Sequence, residues 1–182
     1  MSQDGSQFII RRATLADAGR ARDLTKRTFA ETFGHLYPPE DLAHFFRTVY
    51  ALDAFERLLS CDTHALWLLE SDHRAIGHTL AGPCILPHAD VAPGDGEIQR
   101  LYILKDAHNG GWGGRLMRTA LDWLERDGPR ELWIGVWSEN HGAQRFYARH
   151  GFKKAGEYLF PVGETKDREF ILRRGAGQSA RA

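Results

Sequence analysis

The stretch Leu101-Tyr102-Ile103-Leu104-Lys105-Asp106-Ala107-His108-Asn109-Gly110-Gly111-Trp112-Gly113-Gly114-Arg115-Leu116 decides how this chain is read. It passes from strand to glycine loop to helix. Four glycines around one tryptophan allow unusual backbone angles and let an outside group approach the N–H groups without interference from a Cβ. The helix that follows adds unpaired N–H donors and the positive end of its dipole. It has no acidic first turn and, Asn109 apart, no side-chain cap, so those donors are left for an external anion such as a phosphate. A glycine-rich stretch taken alone reads first as a flexible connection. A P-loop is excluded because the segment ends Gly113-Gly114-Arg115-Leu116 instead of Gly-Lys-Ser/Thr, and Gly111-x-Gly113-x-x-Leu116 breaks the dinucleotide fingerprint.

Downstream, Leu116, Ala120, Leu121 and Leu124 fall on one helical face, and Gly128-Pro129 stops the helix. Glu131 to Trp137 is an apolar strand in which Leu132, Ile134 and Val136 alternate with Trp133, Gly135 and Trp137. Strand, helix, strand makes a βαβ unit with its two strands parallel. A helix over 142–150 ends at Gly151, and Lys154–Phe160 with Asp167–Leu172 reads as a closing strand pair. Upstream, Ala65–Glu70, Ala75–Gly82 and Glu97–Leu104 have strand character, the first two joined by the turn Ser71-Asp72-His73-Arg74 as antiparallel neighbours. Between the second and third lies Pro83–Gly96, an exposed loop. Phe8–Ala13 reads as a first strand. Thr14 and Asp17 form an altered capping box ahead of a helix over 16–30, and helices are expected from Pro38 to Val49 and over 53–59. One α/β domain over 8–174, with flexible tails at 1–7 and 175–182, accounts for the whole chain.

The 182 residues suffice for one core without disulfides or metal. Lys+Arg and Asp+Glu both number 24 and are interspersed, so no global field recruits nucleic acid or an anionic membrane. Cys61 and Cys84 read as reduced thiols. With no signal pattern in MSQDGSQ and no apolar run of spanning length, a cytoplasmic location is expected. None of the nine histidines joins an HExxH or Cys/His ligand cluster, and no metal is expected.

The glycine stretch resembles the acetyl-CoA signature of the Gcn5-related N-acetyltransferase (GNAT) superfamily, Gln/Arg-x-x-Gly-x-Gly/Ala after a strand, with His108, Gly111 and Gly113 in the specified places. Likeness extends over LWIGVWSENHGAQRFYARHGF (132–152), where Asn140, Ala143, Phe146, Tyr147, Gly151 and Phe152 match, and over the strand from Glu97. Within the superfamily, TFAETF (28–33), His108 in place of Gln, GVWSEN (135–140) and GEYLF (156–160) are similar to the PaiA-like polyamine acetyltransferases. The resemblance implies a mixed fold: a mostly antiparallel sheet of about seven strands, a splayed parallel pair and about four flanking helices. It also implies acetyl-CoA as cosubstrate and transfer of its acetyl group to a primary amine, of a polyamine or a peptide.

Residue roles follow from that likeness. The pyrophosphate is expected on the amides of Asn109, Gly110, Gly111, Trp112, Gly113 and Gly114, with His108 adding a side-chain contact or standing as a surface histidine. Pantetheine is expected to take backbone bonds from Leu101, Tyr102 and Ile103, the Ile103 amide also steadying the oxyanion. Asn140 is expected on the pantetheine arm, as a helix cap, or both. An alkyl ammonium is neutral in only about one part in 10³ at pH 7, so removing its proton supplies roughly 4 to 5 kcal/mol of the activation requirement. Glu97 is the candidate base, directly or through water; the other reading is an exposed strand-end carboxylate. Tyr147 is the candidate acid for the leaving thiolate, against a core-tyrosine reading.

The acceptor is expected over the 29–50 region and the 83–96 loop, where Phe29, Glu31, Phe33 and Tyr37 offer aromatic and acidic surface. Helical spacing makes the same phenylalanines core residues. Trp112 is expected to pack under its loop, and Arg115, Arg145 and Arg149 to lie on solvated helix faces. A homodimer is left open, and a non-catalytic acyl-CoA sensor and a nucleotide-dependent α/β enzyme are the rival functions.

Overall fold

A computed structural model describes residues 7–178. Its strands are β1 (Phe8–Arg12), β2 (Ala65–Ser71), β3 (Arg74–Pro83), β4 (Gly96–Ile103), β5 (Leu132–Trp137), β6 (Lys153–Val162) and β7 (Thr165–Arg174). Five α-helices flank them: α1 (Ala18–Phe33), α2 (Pro39–Thr48), α3 (Leu52–Leu59), α4 (Trp112–Leu124) and α5 (His141–Arg149). The sheet order is β1-β2-β3-β4-β5-β7-β6. Every neighbouring pair is antiparallel except β4 and β5, which run parallel. This is the mixed α/β architecture expected from the sequence.

Strand alternation sorts the core into two layers. Leu66 and Leu68 enter the cluster built with α1, α2 and α3, while Ala65 and Trp67 enter the one built with α4 and α5. On β5, Leu132, Ile134 and Val136 pack toward α4 and α5, whereas Trp133 turns to the other face against Leu86 and Ile171.

Local chemistry starts and stops these elements where the sequence places it. Thr14 N–H donates to Asp17 Oδ2 at 2.9 Å, and Pro39 opens α2 with Glu40 and Asp41 in its first turn. After α4 the chain turns through Gly128 at φ +121°, a conformation cheap only for glycine. The 84–95 loop is exposed at Ile85 yet anchored: Trp133 Nε1 donates to Asp95 Oδ2 at 2.7 Å, and Leu86 is buried over Trp133. A fully buried indole needs a partner for its N–H and a cover for its ring, and the loop supplies both.

The expected tails lie mostly outside the described residues, at 1–6 and 179–182. Of the remainder, Gln7 N–H donates to Asp72 Oδ1 at 3.1 Å, Ala176 N–H to Glu131 Oε1 at 3.0 Å, and Arg174 Nε to Gln178 O at 2.6 Å.

Candidate active site

β4 and β5 pair only at Gly96 with Leu132 and Glu97 with Trp133. Beyond that register β4 continues on β3 alone, out to Ile103 against Gly77, and β5 continues on β7, out to Trp137 against Glu169. The two strands therefore part, and from Ile98 onward β4 has no strand partner on its β5 side among the described residues. Leu101, Tyr102 and Ile103 lie along this opened edge. Unpaired strand edges are templates for an extended partner, which is the form a pantetheine chain takes.

At the carboxyl end of β4 the glycine loop turns into α4. Gly111 is the N-cap at φ +73°, with no side chain capping the helix and no acidic residue in the first turn. Asn109, at φ +68°, shares the left-handed conformation that asparagine tolerates. A Cβ on Gly114 would meet nothing within 4 Å, and one on Gly113 would meet the Phe146 ring at 3.6 Å. The first amides of α4 are thus left without a side-chain cap, a geometry suited to a phosphate. Trp112 packs under the loop as expected: it stacks on Phe8 with centroids 4.5 Å apart and carries Arg115 on its ring at 4.4 Å.

His108 is exposed, as in its surface reading, and turns back on its own loop. Its Nε2 lies 2.8 Å from Ile103 O, and because a carbonyl only accepts, the ring proton is on Nε2. The histidine ties the loop back to the end of β4. Asn140 caps α5, its Oδ1 accepting from Ala143 N–H at 3.0 Å, while Gln144 Nε2 covers the last β5 carbonyls, Trp137 O and Ser138 O.

Glu97 stands where the strands begin to part and is 5% exposed. It is a buried carboxylate, not an exposed strand end. Burial pushes its carboxyl up to about 7; the Ile85 N–H, donating at 2.8 Å, and the Cys84 thiol draw it back, and the charge of Glu169 raises it again. Tyr147, on α5, is 8% exposed and packs edge-on against Phe146 and Phe152. Burial, then the Glu169 charge, holds its phenol above the ordinary value, so it stays protonated at neutral pH.

Phe29 and Phe33 follow the core reading of their spacing, and Tyr37 is buried beside them. Phe29 is 5% exposed and rings with Phe33, Tyr37, Phe45, Phe46 and Tyr50. Phe33 meets both Tyr102 on β4 and Trp137 on β5 edge-on, and so spans the parted strands. The Tyr37 hydroxyl donates to Asp167. Glu31 is committed on both oxygens, to Arg27 Nε and to Lys105 N–H, each at 3.1 Å; it anchors the turn after β4 and is not free acidic surface.

Two residues without a role in the sequence reading belong to this region. Glu169 on β7 accepts from the Tyr158 hydroxyl of β6 at 2.7 Å, and burial raises its carboxyl. Its charge contributes to the raised values of Glu97, Tyr147 and Tyr102. In sequence, TKDREFILRR (165–174) reads as an ordinary charged strand, and only the pairing with β5 turns Glu169 inward. Among the described residues no three His, Cys, Asp or Glu side chains converge as metal ligands, and no helix is long and apolar enough to cross a membrane.

Comparison with known proteins agrees with this geometry. Residues 22–152 match the profile of the acetyltransferase (GNAT) family. An uncharacterised N-acetyltransferase in the pepI 3' region of Lactobacillus delbrueckii subsp. lactis is 28% identical over 151 residues, spanning 83% of this chain and 87% of that protein. The PaiA N-acetyltransferase from Thermoplasma acidophilum, solved in complex with coenzyme A, superposes with TM-score 0.74 at 17% identity, covering 93% of this chain and 99% of that one. The ribosomal-protein-S18-alanine N-acetyltransferase from Escherichia coli superposes with TM-score 0.68 at 16% identity, over 95% and 96%.

Proposed function

This chain belongs to the GNAT family of acetyltransferases, and on that premise we propose that it moves an acetyl group from acetyl-CoA directly to a primary amine, of a small molecule such as a polyamine or of a peptide. The observation that carries the reading is the parting of β4 and β5 immediately after Glu97, with an uncapped glycine helix start at the far end of the opened edge.

The residues fit the cosubstrate along its whole length. Amides from Asn109 to Gly114 would take the pyrophosphate, the β4 edge from Leu101 to Ile103 the pantetheine, and the Asn140 side chain its amides. Bound there, acetyl-CoA supplies the thioester carbonyl that the amine attacks. Glu97, with a carboxyl near neutrality, removes a proton from the ammonium, directly or through a water. The Ile103 amide would steady the oxyanion. The C–S bond then breaks, the Tyr147 hydroxyl hydrogen-bonding the departing thiolate, and the second proton that the amine nitrogen loses as the amide forms ends on sulfur. We assign these roles to one domain over 8–174. The two cysteines are free thiols, which suits a cytoplasmic setting.

The reading is tested by thiol release from acetyl-CoA across polyamines, amino acids, aminoglycosides and peptides. Turnover with a primary amine is expected, together with loss of CoA binding in Gly111→Asp, where a carboxylate would block and repel the diphosphate. Tight CoA binding without turnover of any amine would mark the chain as a non-catalytic sensor. Absence of CoA binding would remove the reading altogether.

A further inference from the structure

A second carboxylate shares the face of Glu97. Alternation along β5 puts Trp133, Gly135 and Trp137 on one side, and Glu97 stands opposite Trp133. Glu169 Oε2 lies 3.0 Å, and Tyr158 Oη 3.2 Å, from the place where a Cβ on Gly135 would be. Two strand residues span about 6.6 Å, so the Glu169 carboxylate stands one such step past the Glu97 register, where the strands have just separated. Gly135 leaves it that room, and Leu86 Cδ2, 3.3 Å from the same point, closes the space from the loop side.

Among the described residues neither carboxylate is within ion-pair distance of a cation, and the partly buried Arg100, which acts with Glu169 on Tyr50 and Tyr102, lies over the Tyr50 and Phe55 rings. The nearby ion pairs go elsewhere, Arg168 to Glu157 and Arg173 to Glu131, and Glu169 has the Tyr158 hydroxyl instead. A buried carboxylate with a second, partly buried one a strand step away is costly to ionise unless positive charge comes between them. An alkylamine acceptor brings that charge, since it arrives as ammonium.

We propose that Glu169 is the acceptor-binding carboxylate of this site: held by Tyr158 over Gly135, it receives the incoming ammonium in front of Glu97 and selects amines that arrive charged over neutral aromatic amines. The inference rests on the acetyl-transfer reading above. Asp167, which accepts from Tyr37, neighbours Glu169 on the same strand face and adds to its field.

The test compares benzylamine, charged at neutral pH, with aniline, a neutral amine of similar shape. In Glu169→Gln, kcat/KM for benzylamine should fall by roughly 30-fold or more, mostly through KM, while that for aniline stays within about twofold and CoA affinity is unchanged. Tyr158→Phe should lower the benzylamine value in the same direction by less. No fall, or an equal fall for both amines, overturns the proposal. If the parent protein acetylates neither of these two amines, the transfer reading is judged by the amine screen above, and carboxyl carbon-13 shifts during titration of the CoA complex with benzylammonium chloride decide the present point. A shift at Glu169 upholds it, and an unmoved Glu169 signal sinks it.

Discussion

Two regions of the sheet bury carboxylates, and they treat them in opposite ways. At the β1 end, Arg11 grips Asp17 through Nη1 and Nη2 at 2.9 and 2.7 Å, and also bonds Glu70 through Nε and Nη2. Arg20 adds a second cation to Glu70 at 2.7 Å. The Arg11 guanidinium holds the Asp17 carboxyl well below the ordinary range. Where β4 and β5 part, Glu97 and Glu169 have no such partner, and burial raises both. The paired set fastens α1 to β1 and β2 and belongs to stability. The unpaired set costs stability and is placed where an outside cation can relieve it, the pattern expected of a working site.

If that contrast is right, substitutions at the two ends should separate activity from stability. The largest effect is expected for Glu97→Gln, which should lower kcat/KM by about 10² to 10⁴-fold, measured by thiol release, with CoA affinity retained. In the parent protein the acidic limb of the pH profile should lie near 7, because Glu97 must lose its proton to act. Tyr147→Phe comes next, with kcat lowered by roughly 10²-fold and CoA binding weakened much less. A Tyr147→Phe protein as fast as its parent would move the acid role to another group.

Stability should then show opposite pH slopes at the two ends. Glu97 has a raised carboxyl, so its contribution is intact below the unfolded value near 4.5 and is lost as pH rises through about 7. Denaturant melts at pH 8.5 should therefore find Glu97→Gln more stable than the parent, by up to about 3 kcal/mol. Asp17 has a depressed carboxyl, so its contribution is present at neutral pH and is lost as pH falls below about 4. The smallest effect is expected for Arg11→Met. With the Arg11 side chain 32% exposed, the loss is about 1 to 2 kcal/mol after screening, read as a Tm lower by a few degrees, with kcat untouched. An Arg11→Met enzyme that loses activity in proportion to Glu97→Gln would break the contrast.

Local features were legible where a local rule sets them. The capping pair Thr14 and Asp17, Pro39 at the start of α2, the alternation on β5, and the uncapped Gly111 helix start all rest on residues within a few positions of one another. The site was less legible wherever a side chain's meaning depends on a distant partner. His108 admits a ligand-contact and a surface reading from the motif, and only the fold shows its ring reaching back to Ile103 O. Glu31 looks like open acidic surface on a helix, but the turn after β4 comes within reach and takes its second oxygen. Phe29 and Phe33 admit both core and acceptor readings from helical spacing alone, and only the neighbouring rings of α2 and Tyr50 place Phe29 inside.

From the order of residues alone, then, came the succession of strands and helices and the glycine anion cradle, because periodicity and capping act over one or two turns of chain, while Glu97 and Tyr147 became groups worth testing only through the likeness to the family and the chemistry of acetyl transfer. The resemblance implied a splayed parallel pair, but tertiary structure alone fixed the separation of β4 and β5 directly after Glu97 and turned Glu169, 72 residues further on by the numbering, onto the same face. Those outcomes depend on which strand β7 joins and on the space left by Gly135, and long-range pairing of that kind leaves no periodic trace in the sequence.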